Sequence, residues 1–308
     1  MDVLGYLLTG GQFVDGQSAA VPDPAWLGGR MAELYSSWTD PAKLDLTAVA
    51  EGFLRRLDHL EDPIGQACLQ AAADVGRWRG LPYHSVSHHA EVATNAMVMT
   101  EVARRGGQSI PLRDRALLLA SALAHDLNYK AGLPRFATET EAAQALDLIS
   151  AQCGVPGPDR EMLKCLILAT EPGFRSCLAA LSGSDLGNDV PQSLYALVAQ
   201  PALAGLAVTL SDADLLSSAG LTEDWHRVQL ERLQSETGCH ISPADDVRFF
   251  ERLVGADFLS RGGRFFSPNL MRIRDATHRG AAACHAAPTL PADQTSQTGR
   301  RYTNTQPG

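Results

Sequence analysis

Between Arg115 and Ala124 the chain reads Arg-Ala-Leu-Leu-Leu-Ala-Ser-Ala-Leu-Ala, apolar on nearly every face of a helix. A helix without a polar side has to be enclosed by other elements, so this run demands a layered helical body around it. The next two residues, His125 and Asp126, therefore emerge at the centre of the domain. An imidazole and a carboxylate buried side by side are costly unless each is paired. The ordinary account of such a dipeptide is a helix cap held by backbone hydrogen bonds; a divalent cation satisfies both groups as well.

The stretch Tyr83-His84-Ser-Val-Ser-His88-His89 shifts the balance toward the cation. His84 and His88 are four apart and project from one face of a helix. The same helix continues through Val92, Ala96, Met99 and Val102, which predicts an apolar stripe beneath the histidines. His89 points elsewhere. A further apolar run ends in Thr209-Leu-Ser-Asp212-Ala-Asp214-Leu, again planting carboxylates in core. Asp212 and Asp214 are two apart, so only one of them faces a shared ion.

Helical periodicity extends through most of the chain and strand-like alternation is nearly absent, which predicts an all-α protein. Leu46, Val49, Phe53 and Leu57 mark one helix, Ala142, Ala143, Leu146 and Ile149 another, and Leu163, Leu166 and Ile167 a third. Pro201 separates two more. Ser242-Pro243-Ala-Asp245 supplies an N-cap, a proline at the first helical position and an acid in the first turn, opening a helix through Val247, Phe250, Leu253 and Val254. Residues 1–24 read as a loosely ordered arm, 25–280 as the helical domain with its core at 78–260, and 281–308 as a disordered tail.

The 308 residues carry a net charge of −9 and 45% apolar content, enough for a sizeable core and poorly suited to a nucleic-acid polymer. Six scattered cysteines without a C-x-x-C pair suit reduced thiols in a cytoplasmic protein. The first residues lack the basic start and apolar length of a signal peptide, and charge or proline interrupts the later apolar runs, so no membrane span is expected. His59, His226 and His240, like His278 and His285, have no ligand-spaced partner and are expected at the surface or in caps. Arg261, Arg264, Arg272 and Arg274 are expected to form a solvated basic face, with phosphate contact as the other reading. Trp78 and Tyr83 are expected to pack the helix entry.

The order His88, His125-Asp126, Asp214 resembles the H…HD…D signature of HD-domain metal-dependent phosphohydrolases. Tyr83-His84-Ser-Val-Ser-His88-His89-Ala-Glu-Val is similar to the Tyr-His-Asn-x-x-His-Ala-x-Asp-Val stretch of class I cyclic nucleotide phosphodiesterases, as are Ile167-Leu-Ala-Thr170-Glu171 and Ala213-Asp214-Leu215. His125-Asp-Leu-Asn-Tyr129 with Asp212-Ala-Asp-Leu215 looks closer to bacterial predicted HD phosphohydrolases. The resemblance covers about residues 78–260. It implies an HD-type helical bundle with a divalent cation at its centre (Mn, Mg, Fe, Co or Ni), held by His88, His125, Asp126 and Asp214. It implies His84 as general acid toward the leaving alkoxide, water activated by the metal as nucleophile, and a small phosphorylated metabolite or nucleotide as substrate. The family glutamate on the following helix corresponds to Glu139 or Glu141. Asn128-Tyr129-Lys130 replaces the polarity that phosphodiesterases place near a second metal, no glutamine aligns with their purine clamp, and Pro172-Gly173 follows Glu171 where a histidine is often found. The alternative function is a non-catalytic HD module that binds a ligand or partner, and retention of His84 argues against it.

Overall fold

A computed structural model describes residues 2–9, 21–40, 44–77, 81–181, 186 and 189–286. Among these residues the secondary structure is helical, with no strand. Three helices form the centre: Val86–Arg105, Leu112–Ala124 and Pro201–Ala219. The first packs against both of the others, and the shell around them includes Leu46–Leu57, Pro63–Arg77, Ala137–Gln152, Gly157–Leu168 and Glu223–Thr237.

The run from Arg115 to Ala124 is buried along its whole length, as its uniform apolarity requires. Val86–Arg105 differs from the expected one-sided stripe, because every residue from Val86 to Ala103 is buried. Two of its buried polar residues are held by partners on other elements. Glu91 accepts from Gln229 Nε2 and Arg232 Nη1, both at 2.9 Å. Asn95 accepts from the Tyr35 hydroxyl at 2.6 Å and donates to the Ala213 carbonyl at 2.7 Å, locking this helix to Pro201–Ala219. That helix is long and apolar enough to cross a membrane by length and composition alone, contrary to the expectation from its sequence, yet 67% of the qualifying stretch is buried inside the protein.

Asp212 explains how a carboxylate is tolerated in its middle. It is fully buried, pairs with Arg175 Nη2 at 2.8 Å and accepts from the backbone N–H groups of Leu259 and Ser260. The segment it holds approaches closely because Gly262 has no side chain: a Cβ there would lie 2.2 Å from the Met99 carbonyl oxygen. Removing one partner from a buried ion pair strands the other charge, at about 3–5 kcal/mol. Asp212→Ala should therefore lower the urea midpoint by a corresponding amount without altering the polar cluster described below. A loss under about 1 kcal/mol would show that Arg175 finds another partner.

The chain ends depart from the expected boundaries. Residues Val3–Thr9 form a helix with Val3, Leu4, Leu7 and Leu8 buried, so the loosely ordered arm begins with a packed element. Pro24, placed at the end of that arm, is instead the first residue of Pro24–Ser37, whose start Asp23 caps through the N–H groups of Ala25 and Trp26. At the other end Ser267–Ala286 runs past residue 280. Residues 10–20, Trp78 and 287–308, where the remaining expectations for the arm, helix entry and tail fall, lie outside the described residues.

The Ser242 cap forms with its reciprocal bond from Asp245, but the helix it opens stops at Phe249 and continues as a π turn, Phe250–Val254. His226, expected at the surface or in a cap, is buried. Its Nδ1 contacts the Ser218 carbonyl and its Nε2 lies 3.1 Å from both carboxylate oxygens of Asp246. The four C-terminal arginines turn to local carbonyl groups and Asn269 rather than to the central cavity.

Candidate metal centre and cavity

Ser85 caps the start of Val86–Arg105, so His88 lies in its first turn and reaches the end of Leu112–Ala124. There the imidazoles of His88 and His125 face each other, with Nε2 atoms 3.3 Å apart. Asp126 Oδ2 lies 3.0 Å from His125 Nε2 and 3.4 Å from His88 Nε2. Asp214, from the middle of Pro201–Ala219, brings Oδ1 to 3.3 Å from His88 Nε2 and 3.7 Å from His125 Nε2. Side chains from three distant parts of the sequence thus converge, whereas Asp212 turns away to Arg175.

The donor chemistry fits a divalent cation. The Nδ1 of His125 meets the Ala122 carbonyl at 3.0 Å, so that nitrogen carries the proton and Nε2 keeps its lone pair toward the centre. Donors about 2.1 Å from one ion stand roughly 3 Å from one another, which is the spacing of this cluster. His88, His125 and Asp214 in particular offer ligand atoms that all lie within 4.8 Å of one another.

Without a cation the cluster is a coupled acid–base pair. Burial lowers the His88 imidazole, but Asp126 and Asp214 outweigh it and carry it up to about 9. The same opposition raises His125 and holds the Asp126 and Asp214 carboxylates down. A metal must displace the protons on these imidazoles, so affinity should rise with pH through the neutral range, by about tenfold per unit for each proton released. Calorimetric titration with Mn²⁺ at several pH values in two buffers checks this. An affinity independent of pH would contradict it.

His84 lies beside the cluster, its Nε2 3.8 Å from Asp126 Oδ2. Its other nitrogen, Nδ1, is 2.6 Å from Glu236 Oε1, while Glu236 Oε2 accepts the backbone N–H groups of Tyr83 and His84. Although burial opposes it, the hydrogen bonds from His84 hold the Glu236 carboxyl below its ordinary range. Tyr129 completes the arrangement by stacking on His84, with ring centroids 3.5 Å apart and planes 16° from parallel. Asn128 makes this possible: its φ of 67° bends the chain after Asp126 and returns Tyr129 over the imidazole.

The cluster opens into a cavity of about 410 Å³. Glu139 lines it, and burial, reinforced by Asp126 and Glu171, pushes its carboxyl up to about 6. Glu141 instead pairs with Lys130 at the surface. Thr170 and Glu171 also reach the cavity, as does Tyr83, whose hydroxyl lies 2.8 Å from Ser218 Oγ. His89 stays buried behind the cluster, its ring centroid 5.4 Å from that of His125, and does not line the cavity. Sequence reasoning missed Glu236, the stacking of Tyr129 and the inward position of Arg175. Tyr129 was detectable only as an aromatic residue close behind a polar pair.

No family model matches the sequence, and no curated protein matches it. Solved structures do match. The phosphodiesterase domain of the RhoPDE fusion protein from the choanoflagellate Salpingoeca rosetta is 15% identical, with a TM-score of 0.57, covering 78% of this chain and 92% of that one. LmjPDEB1, solved in complex with IBMX, is 16% identical, with a TM-score of 0.55, covering 90% of this chain and 96% of that one. The chain therefore has an all-α fold similar to that of phosphodiesterase domains.

Proposed function

We propose that this protein is a metal-dependent phosphohydrolase that cleaves a phosphoester bond of a small phosphorylated metabolite or nucleotide. His88, His125, Asp126 and Asp214 would hold the divalent cation. Bound there, it would supply Lewis acidity toward a phosphoryl oxygen and toward a water nucleophile. The similarity in fold to phosphodiesterase domains supports the reading.

The observation that carries it is the placement of His84. A cluster that served structure alone has no use for an imidazole one turn away, facing the same cavity and held by a buried carboxylate. With Nδ1 donating to Glu236, a second proton on Nε2 points toward Asp126 and the cavity. Glu236 holds the ring through Nδ1, and Tyr129 fixes its plane. His84 then gives its Nε2 proton to the departing alkoxide, whose poor leaving ability makes that transfer worth about 10²–10⁴ in rate. Glu139, the carboxyl nearest its neutral form on the cavity wall, is the better candidate for the family glutamate than Glu141.

The test is a screen of purified protein with Mn, Mg, Co, Ni or Fe against phosphomonoesters, nucleotides and cyclic nucleotides. Turnover should require the metal, disappear with a chelator and return on reloading. Fully loaded protein that hydrolyses none of them would overturn the proposal.

A further inference from the structure

The cavity beside the cluster is lined by two kinds of side chain, and together they narrow the substrate. It contains the cationic side chains Lys130, Arg135 and Arg175. Each already meets a carboxylate: Lys130 with Glu141 at 2.7 Å, Arg135 with Glu171 at 2.8 Å and Arg175 with Asp212 at 2.8 Å. Asp126, Glu139 and Asp214 add carboxylates to the same space. A dianionic phosphate or a polyphosphate entering here would have to compete with carboxylates already paired to these cations, and its approach to Asp126, Glu139 and Asp214 would be repulsive.

The same lining includes the apolar side chains Leu215, Leu233, Phe249 and Leu253. No asparagine or glutamine stands among the described lining residues, so no amide presents the donor–acceptor pair that reads a nucleobase edge. Leu253 lies in the π turn Phe250–Val254 that follows Phe249. Apolar walls with few polar groups select by shape and area rather than by hydrogen-bond pattern.

We propose that the cavity takes a singly charged phosphodiester bearing an apolar or aryl alcohol, disfavours monoesters and polyphosphates, and does not discriminate between bases. This rests on the phosphohydrolase reading above. In the hydrolysis a new P–O bond forms from water as the P–O bond to the alcohol breaks. His84 gives the alcohol its proton and regains one from the water; the other is released as the product monoester takes its second charge.

The experiment compares kcat/KM of the metal-loaded protein for bis(4-nitrophenyl) phosphate, 4-nitrophenyl phosphate, ATP, cyclic AMP and cyclic GMP. It also compares calorimetric binding of diphenyl phosphate and phenyl phosphate to metal-free protein. The diester should exceed the monoester and ATP by at least about tenfold, and the two cyclic nucleotides should agree within about threefold. Diphenyl phosphate should bind at least about tenfold more tightly than phenyl phosphate. Glu171→Gln, which releases Arg135, should raise the monoester relative to the diester. Turnover of the monoester or ATP equal to that of the diester, or strong preference for one cyclic nucleotide, overturns the inference and leaves the hydrolase reading standing. Preferential binding of diphenyl phosphate without turnover of any ester supports the cavity's selectivity and sinks the hydrolase reading.

Discussion

Asp126→Ala is expected to abolish metal-dependent turnover while leaving the helical fold intact. Its Oδ2 lies 3.0 Å from His125 Nε2, 3.4 Å from His88 Nε2 and 3.8 Å from His84 Nε2, so this carboxylate touches every other proposed participant except Asp214. Without it, two imidazoles face each other with one carboxylate to offset a bound cation. A loss on the order of 10³-fold in kcat/KM, or several kcal/mol of transition-state stabilisation, is expected. Metal content by elemental analysis should fall with it, and the far-ultraviolet circular dichroism should not change. Parent-like turnover in a metal-loaded Asp126→Ala protein would remove the basis of the proposed chemistry.

His84→Ala separates the acid from the metal site. Because His84 meets the cluster only through Asp126 Oδ2 at 3.8 Å among the cluster carboxylates, the variant should keep its metal. Its kcat should fall by about 10²–10⁴ on alkyl esters, whose alkoxides need a proton, and much less on 4-nitrophenyl esters, whose leaving groups do not. Glu236→Gln should move rates in the same direction by a smaller amount, since the Nδ1 hydrogen bond would survive without the carboxylate charge. An equal loss on alkyl and nitrophenyl esters would assign His84 to binding rather than to proton transfer.

The parts of this arrangement that could be read from sequence are those encoded by local spacing. The uninterrupted apolarity before His125 was enough to place that residue in the interior, and the separation of Asp212 from Asp214 was enough to say that they face different surroundings. The reading of His84 and His88 as two residues on one helix face is corrected: Ser85 caps the helix between them, so His84 sits just outside it and approaches the cluster at Asp126. What spacing does not encode is the register between helices. Glu236 comes from the last turn of Glu223–Thr237, about 150 residues after His84, and no periodic signal connects the two. The choice between Glu139 and Glu141 likewise depends on which face of Ala137–Gln152 meets the cavity. The inverse error occurred at His226, which looked isolated only because its partner, Asp246, stands on the next helix.

The bend at Asn128 divides the chain around it into two kinds of position. From Arg115 to His125 every residue is buried, so even conservative exchange there disturbs several neighbours at once. Beyond Tyr129, the cavity rim at Lys130, Gly132, Leu133, Pro134 and Arg135 is exposed and comes from a loop. Mutational drift in that loop can reshape the entrance at little cost to folding, while the left-handed residue at its root admits glycine readily and β-branched side chains poorly. A library aimed at new substrates should therefore vary 130–135 and leave 128 alone.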